Sequence, residues 1–166
     1  MRPFIIKTLL PFLFCLIPPL VGVVVALAVP QAARHDYWER IQHSPMDWLI
    51  LGFGTVLFLV QIVLARQALT WRGTSFDERA DRWLSNLAQA AEWFPLLGLL
   101  GTVAAILQTF GSMTGNVTPQ LIISKYAPAI TATGSGLYMA LLNILPTWIV
   151  GTGREAIRSL AAESTP

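Results

Sequence analysis

The chain has 166 residues, 54% of them hydrophobic and only 12% charged, with a mean hydropathy of +0.59. A soluble domain carries about 25% charged residues, so this chain lacks the ionic surface to keep a globule in water, and it falls in the membrane class. Its net charge of +2 is too small to imply a nucleic-acid partner, and the lone cysteine, Cys15, can form no intrachain disulfide.

Four apolar blocks contain no Asp, Glu, Lys or Arg: Thr8 to Val29, Trp48 to Ala65, Phe94 to Phe110 and Ala127 to Val150. Crossing a hydrocarbon core takes about 20 helical residues, and barrel strands would be shorter and would alternate. The predicted fold is therefore all-α, a single polytopic membrane domain with spans at about 8–29, 48–65, 94–110 and 127–150. Cys15, inside the first block, reads as a small apolar filler.

The first block begins after Arg2 and Lys7 and ends near Gln31-Ala32-Ala33, which gives it some likeness to a signal peptide. Signal cores run about 7 to 15 residues; this one is longer, so a retained helix is expected. Pro11 and the Pro18-Pro19 pair remove backbone donors and predict a kinked helix at the periphery. The segment that follows carries Arg34, His35, Asp36, His43 and Asp47, whose spacing matches no metal-ligand pattern. A solvated loop is expected, with no metal.

After the second span, Ser75 and Glu78 form an S-x-x-E capping box. Phe76, Ala80, Trp83, Leu87 and Ala91 then recur at helical spacing, opposite Asp77, Asp81, Arg82, Ser85 and Gln89. This predicts a cytoplasmic amphipathic helix over about 75–91, running into the third span. It either packs on its own bundle or docks a cytoplasmic partner. Lys125 marks the third loop, and Gly151 to Pro166, with Arg154 and Arg158, reads as a short tail. With both termini inside, eight of the basic residues lie in the cytoplasm and three outside. The positive-inside rule therefore places both termini in the cytoplasm.

The last two spans each carry a stripe of small and polar residues. In the third, Gly98, Thr102, Ala105 and Thr109 recur at three- and four-residue intervals, with Gly101 and Gln108 beside them; in the fourth, Thr133, Gly136, Ala140, Asn143 and Thr147 do so. Glycine costs about 1 kcal/mol in a helix interior, so the Gly134-Ser135-Gly136 cluster needs a reason. Close backbone approach between helices is one, and room inside the bundle is another. Primary amides such as Gln108 and Asn143 should face protein or water rather than lipid. Periodicity alone leaves both packing and a pore open.

The stretch from Pro95-Leu96-Leu97-Gly98-Leu99-Leu100-Gly101-Thr102-Val103 to Phe110 resembles the P-x-x-G-L-x-G-T-V segment of the MotA/TolQ/ExbB family. Ala127-Pro128-Ala129-Ile130, Thr133-Gly134-Ser135-Gly136-Leu137 and Pro146 are similar to that family's following helix, in the same order. The resemblance implies an ion-channel or stator subunit of a motor in the bacterial inner membrane. Five such chains would surround a dimer of single-span MotB/TolR/ExbD-like partners, each bringing an ionisable aspartate. Proton or sodium flow would then drive mechanical work, without cofactor or catalysis. Thr102 and Thr133 would face the partner's carboxylate, with Gln108 and Asn143 further along. Pro18, Pro19, Pro95, Pro128 and Pro146 are the expected kink positions. Pro128 and Thr133 stand closer than the family pattern suggests and lack an acid between them, so Thr131 and Thr133 both stay candidates. Because neither pore helix holds an acid or base, this chain alone is expected not to titrate within the membrane. The small cytoplasmic portion argues against flagellar torque and for a motor acting outward. The alternative is a non-channel four-helix structural or assembly protein; an enzyme would need clusters of acids, bases or nucleophiles that the sequence does not contain.

Overall fold

The computed structural model describes residues 9–70, 76–112 and 118–162. Arg2, Lys7, Arg72 and Ser75 lie outside the described residues, as do the side chains of Lys125 and Pro128. Six α-helices follow in order among the described residues: α1 (Leu10–Ala28), α2 (Gln31–Gln42), α3 (Pro45–Leu69), α4 (Glu78–Gln89), α5 (Trp93–Ser112) and α6 (Pro119–Ala162). No strand occurs among them, and four stretches are long and apolar enough to cross a membrane.

Three boundaries differ from expectation. Residues 31–42 form a helix rather than a loop, stopped where the His43 N–H turns back to the Arg40 and Ile41 carbonyls. The third loop is shortened because α6 starts at Pro119, whose fixed φ suits the first helical position. The expected tail is also helical as far as Ala162. At 1.5 Å per residue the 44 residues of α6 extend roughly 66 Å, about twice a hydrocarbon core, so α6 must project beyond the membrane.

The prolines act unequally. Pro18 and Pro19 are accommodated within continuous α1. Pro95 cannot donate to the Ala91 carbonyl, and the chain tightens into a 3₁₀ turn at Ala90–Glu92 just ahead of α5. α6 runs unbroken through Pro128 and Pro146.

The chain packs as two units. One comprises the described part of Met1–Ala28, Val56–Ala91 and the described part of Leu141–Pro166. Its core joins Ala65, Ala68 and Leu69 of α3, Phe76, Ala80 and Leu84 beside and on α4, and Val150 and Ile157 of α6, with Phe14 and Cys15 of α1 against them. α4 is amphipathic as predicted, but its buried stripe runs through Leu84 while Trp83 is 59% exposed. Its cap also differs: Asp77 accepts from the Arg79 and Ala80 N–H groups, which makes Glu78 the first helical residue. Arg154, the supposed tail residue, lies inside this unit. It donates to the Ala68 carbonyl (3.1 Å), Asp81 (2.7 Å) and the Asp77 carbonyl (3.1 Å), with its guanidinium 5.0 Å from the Phe76 ring centre.

The other unit comprises Val29–Thr55 and Glu92–Ala140. It holds α2, the start of α3, α5 and the first half of α6, and it contains the candidate site.

Candidate ion-pathway site

α5 and α6 meet backbone to backbone through glycine. A Cβ at Gly136 would sit 2.4 Å from the Phe94 carbonyl oxygen, and one at Gly98 would sit 2.8 Å from that of Ala132. Only hydrogen fits at these crossings, which accounts for Gly98 and Gly136 by close helix approach. Gly101 is opposed by side chains instead, the Ala132 Cβ at 2.8 Å and the Met46 Cγ at 3.1 Å. Gly134 meets little, the ring of Tyr37 at 3.8 Å.

Such proximity brings two predicted residues together. The Thr102 and Thr133 hydroxyls lie 2.5 Å apart, and Thr102 has the Gly98 and Ala129 carbonyls at 3.0 and 2.9 Å as acceptors. Both side chains are half-buried. Thr109 instead donates back to Ala105 in its own helix. Ala105 and Gln108, with Gly101, line a cleft of about 760 Å³ whose other wall is Glu39, Arg40, His43, Ser44 and Met46. Asn143 and Thr147 belong to the other unit; Asn143 is fully buried there, and among the described residues the Thr147 hydroxyl oxygen has no partner. Ala140 is half-buried.

Thr131 and Thr133 separate by geometry. Two residues turn an α-helix by about 200°, so while Thr133 meets Thr102, Thr131 points to α3. There its hydroxyl donates to Asp47 Oδ2 at 3.2 Å. Ser135, one turn further, donates to Asp47 Oδ1 and has the Thr131 carbonyl as a second acceptor at 3.0 Å. The Tyr37 hydroxyl lies 2.6 Å from Ser135 Oγ. Asp47 is fully buried. Of the acids and histidines in this segment, His35, Asp36 and His43 are solvated as expected, whereas Asp47 is buried and α6 hydroxyls meet it as a carboxylate of their own chain. Burial pushes the Tyr37 hydroxyl above its ordinary titration range; the Ser135 bond draws it part-way back, and Asp47 and Tyr138 add to the rise. Tyr37 therefore stays a neutral donor at physiological pH.

In the sequence Asp47 reads only as a loop acid. The available signal was Ser44-Pro45-Met46-Asp47, a helix start with proline at the first position and an acid in the first turn. Ser44 Oγ indeed accepts from the Asp47 N–H at 3.3 Å. Gln61 was also missed: a lone amide in the second span, fully buried, donating to the Leu87 carbonyl while its Oε1 has no partner among the described residues.

Residues 53–155, well over half the chain, match the model of the MotA/TolQ/ExbB proton channel family. The chain belongs to this family. As a MotA/TolQ/ExbB protein it is a multi-pass membrane protein of proton-channel, stator type, and both threonines of the α5–α6 pair lie within the matched segment. Relatives include the ExbB-like 2 proteins of Helicobacter pylori strains ATCC 700392 / 26695 and J99 / ATCC 700824. Each is 33% identical over 113 residues, covering 60% of this chain and 75% of the relative, and each is named for biopolymer transport. No solved structure matches the chain. Tyr37 and Asp47 precede the segment that the family model matches.

Proposed function

We propose that this chain is the channel subunit of an ion-driven motor in the bacterial inner membrane. It couples proton or sodium flow to mechanical work through a single-span partner that brings an aspartate. In this reading several copies, five by family analogy, surround the partner helices, and both termini of each copy face the cytoplasm. The observation that carries the proposal is the Thr102–Thr133 hydroxyl pair on two helices whose apolar spans hold no Asp, Glu, His, Lys or Arg. Such a wall can relay or coordinate a cation beside a carboxylate supplied by another chain. The membrane potential makes about 2.3 kcal/mol per charge per 100 mV available for the work.

A structural or assembly role is the competing reading, and the Gly98–Gly136 crossing favours it, because that crossing needs only packing. Thr102→Val with Thr133→Val separates the two. The double variant keeps shape but loses both hydroxyls, and it is expected to lower ion flux in vesicles containing the partner at least tenfold while assembly persists. Thr→Ser at both positions should restore flux. Normal flux in the valine variant would remove the channel assignment.

A further inference from the structure

We propose that Asp47, Thr131, Ser135 and Tyr37 form a monovalent-cation site, for a proton or a sodium ion, built wholly from this chain. The proposal deepens the channel reading and rests on it for the ion's destination, but not for the site itself.

Burying a carboxylate is costly without a countercharge or a full set of donors. Asp47 is fully buried, and among the described residues no Lys, Arg or His pairs with it. Its position in the first turn of α3 gives it the favourable end of that helix's dipole, a partial charge only. Thr131 and Ser135 donate to its two oxygens, and Tyr37 supports Ser135 from behind. These hydroxyls are neutral donors and bring no countercharge, and they gather hard oxygen atoms, the ligands a monovalent cation takes, around one buried carboxylate.

Ser135 makes the cage reversible. Its single proton has two acceptors in reach, Asp47 Oδ1 and the Thr131 carbonyl oxygen. With no cation bound it donates to Asp47. When a proton occupies Oδ1, that O–H donates to Ser135 Oγ and the serine proton turns to the Thr131 carbonyl, so no polar group is stranded. A sodium ion would instead take ligands from Asp47, Ser135 and Thr131 oxygens. The roughly 760 Å³ cleft is lined by Ser44 and Met46, Asp47's near neighbours in sequence, by Ala132 beside Thr131, and by the polar Glu39, Arg40, His43 and Gln108. Among the described residues, the titratable and charged groups named with the site are Tyr37 on α2, Tyr138 on α6, and Glu39, Arg40 and His43 at the cleft.

Hydrophobic carbodiimide labelling of the purified full-length wild-type chain, mapped by peptide mass spectrometry, tests the site without any variant. Asp47 is expected to be modified at acidic pH. Loss of labelling on raising pH alone marks a proton site, and protection by added sodium at fixed pH marks a sodium site. An Asp47 that is never modified, or is modified independently of pH and sodium, overturns the proposal and leaves a structural hydrogen-bond acceptor.

Ion flux in vesicles with the partner then separates this proposal from the channel reading. Asp47→Asn keeps an acceptor oxygen and is expected to cut flux at least tenfold at unchanged assembly. Full flux in Asp47→Asn with loss in the Thr102/Thr133 double valine variant overturns the Asp47 site and leaves the channel standing. The reverse pattern retains Asp47 and removes the threonine pair. Absence of flux in the wild type defeats the channel reading, and the labelling result then decides the cation site alone. Labelling likewise decides if Asp47→Asn fails to assemble.

Discussion

A Cβ added at Gly136 would meet the Phe94 carbonyl oxygen at 2.4 Å and the Gly98 Cα at 3.1 Å, and both obstacles are backbone. Neither can swing aside as a side chain does, so Gly136→Ala must separate α5 from α6 or bend one of them. The expected cost is about 2 kcal/mol, within the usual range for overpacking, with the Thr102–Thr133 contact widened as a consequence. Gly52, in α3, has nothing within 4 Å of the corresponding point, so Gly52→Ala should shift stability by less than about 1 kcal/mol. Unfolding midpoints in detergent compare the two, and equal effects would show that the α5–α6 crossing is looser than described. The same scale distinguishes Thr131 from Thr133. The family spacing leaves both as candidates; only the helix around them assigns one to Asp47 and the other to Thr102.

Among the elements, α4 is held by a side chain from the far end of α6. Arg154 bonds the Ala68 carbonyl, one of the last four of α3 that have no partner within the helix, and also binds Asp81 and the Asp77 carbonyl at the start of α4. Its guanidinium can satisfy all three because it presents several donors in a planar fork. Arg154→Ala should therefore destabilise the chain by about 2–3 kcal/mol. Asp81→Asn should cost less, since Asp81 is 38% exposed and water screens the pair. Arg154→Lys, a point charge that cannot reach all three acceptors, should fall between. Detergent unfolding together with proteolysis of the segment before α4 would check the order, and a silent Arg154→Ala would mean that α4 is held by its apolar stripe alone.

For the molecule as a whole, one face of α5 carries Leu96, Leu99, Leu100, Val103, Leu107 and Phe110, all 47–67% exposed. In a membrane such a face is covered by lipid or by another protein. By length, hydropathy and burial α1 is the most lipid-like span, 17% buried against 44% for the span within α6. This fits the peripheral place its prolines suggested. The proposed motor requires several copies around a partner, so native mass spectrometry of the chain co-expressed with that partner is expected to show an oligomer with the partner bound. A monomer that still supports ion-driven function would defeat that arrangement.

Membrane class, the number of spans, the helical fold and the family were legible because they depend on local quantities: unbroken apolar length, the absence of charge, and glycine and threonine at helical spacing. Tertiary structure alone decided what touches those residues. Trp83 and Leu84 differ by one position, and burial of Leu84 rather than Trp83 depends on the neighbouring helices. Asp47, 84 residues from Thr131 in the chain, reads locally as an ordinary acid at a helix start. It becomes a buried carboxylate only because folding sets the head of α3 against α6, and no spacing within either helix encodes that contact.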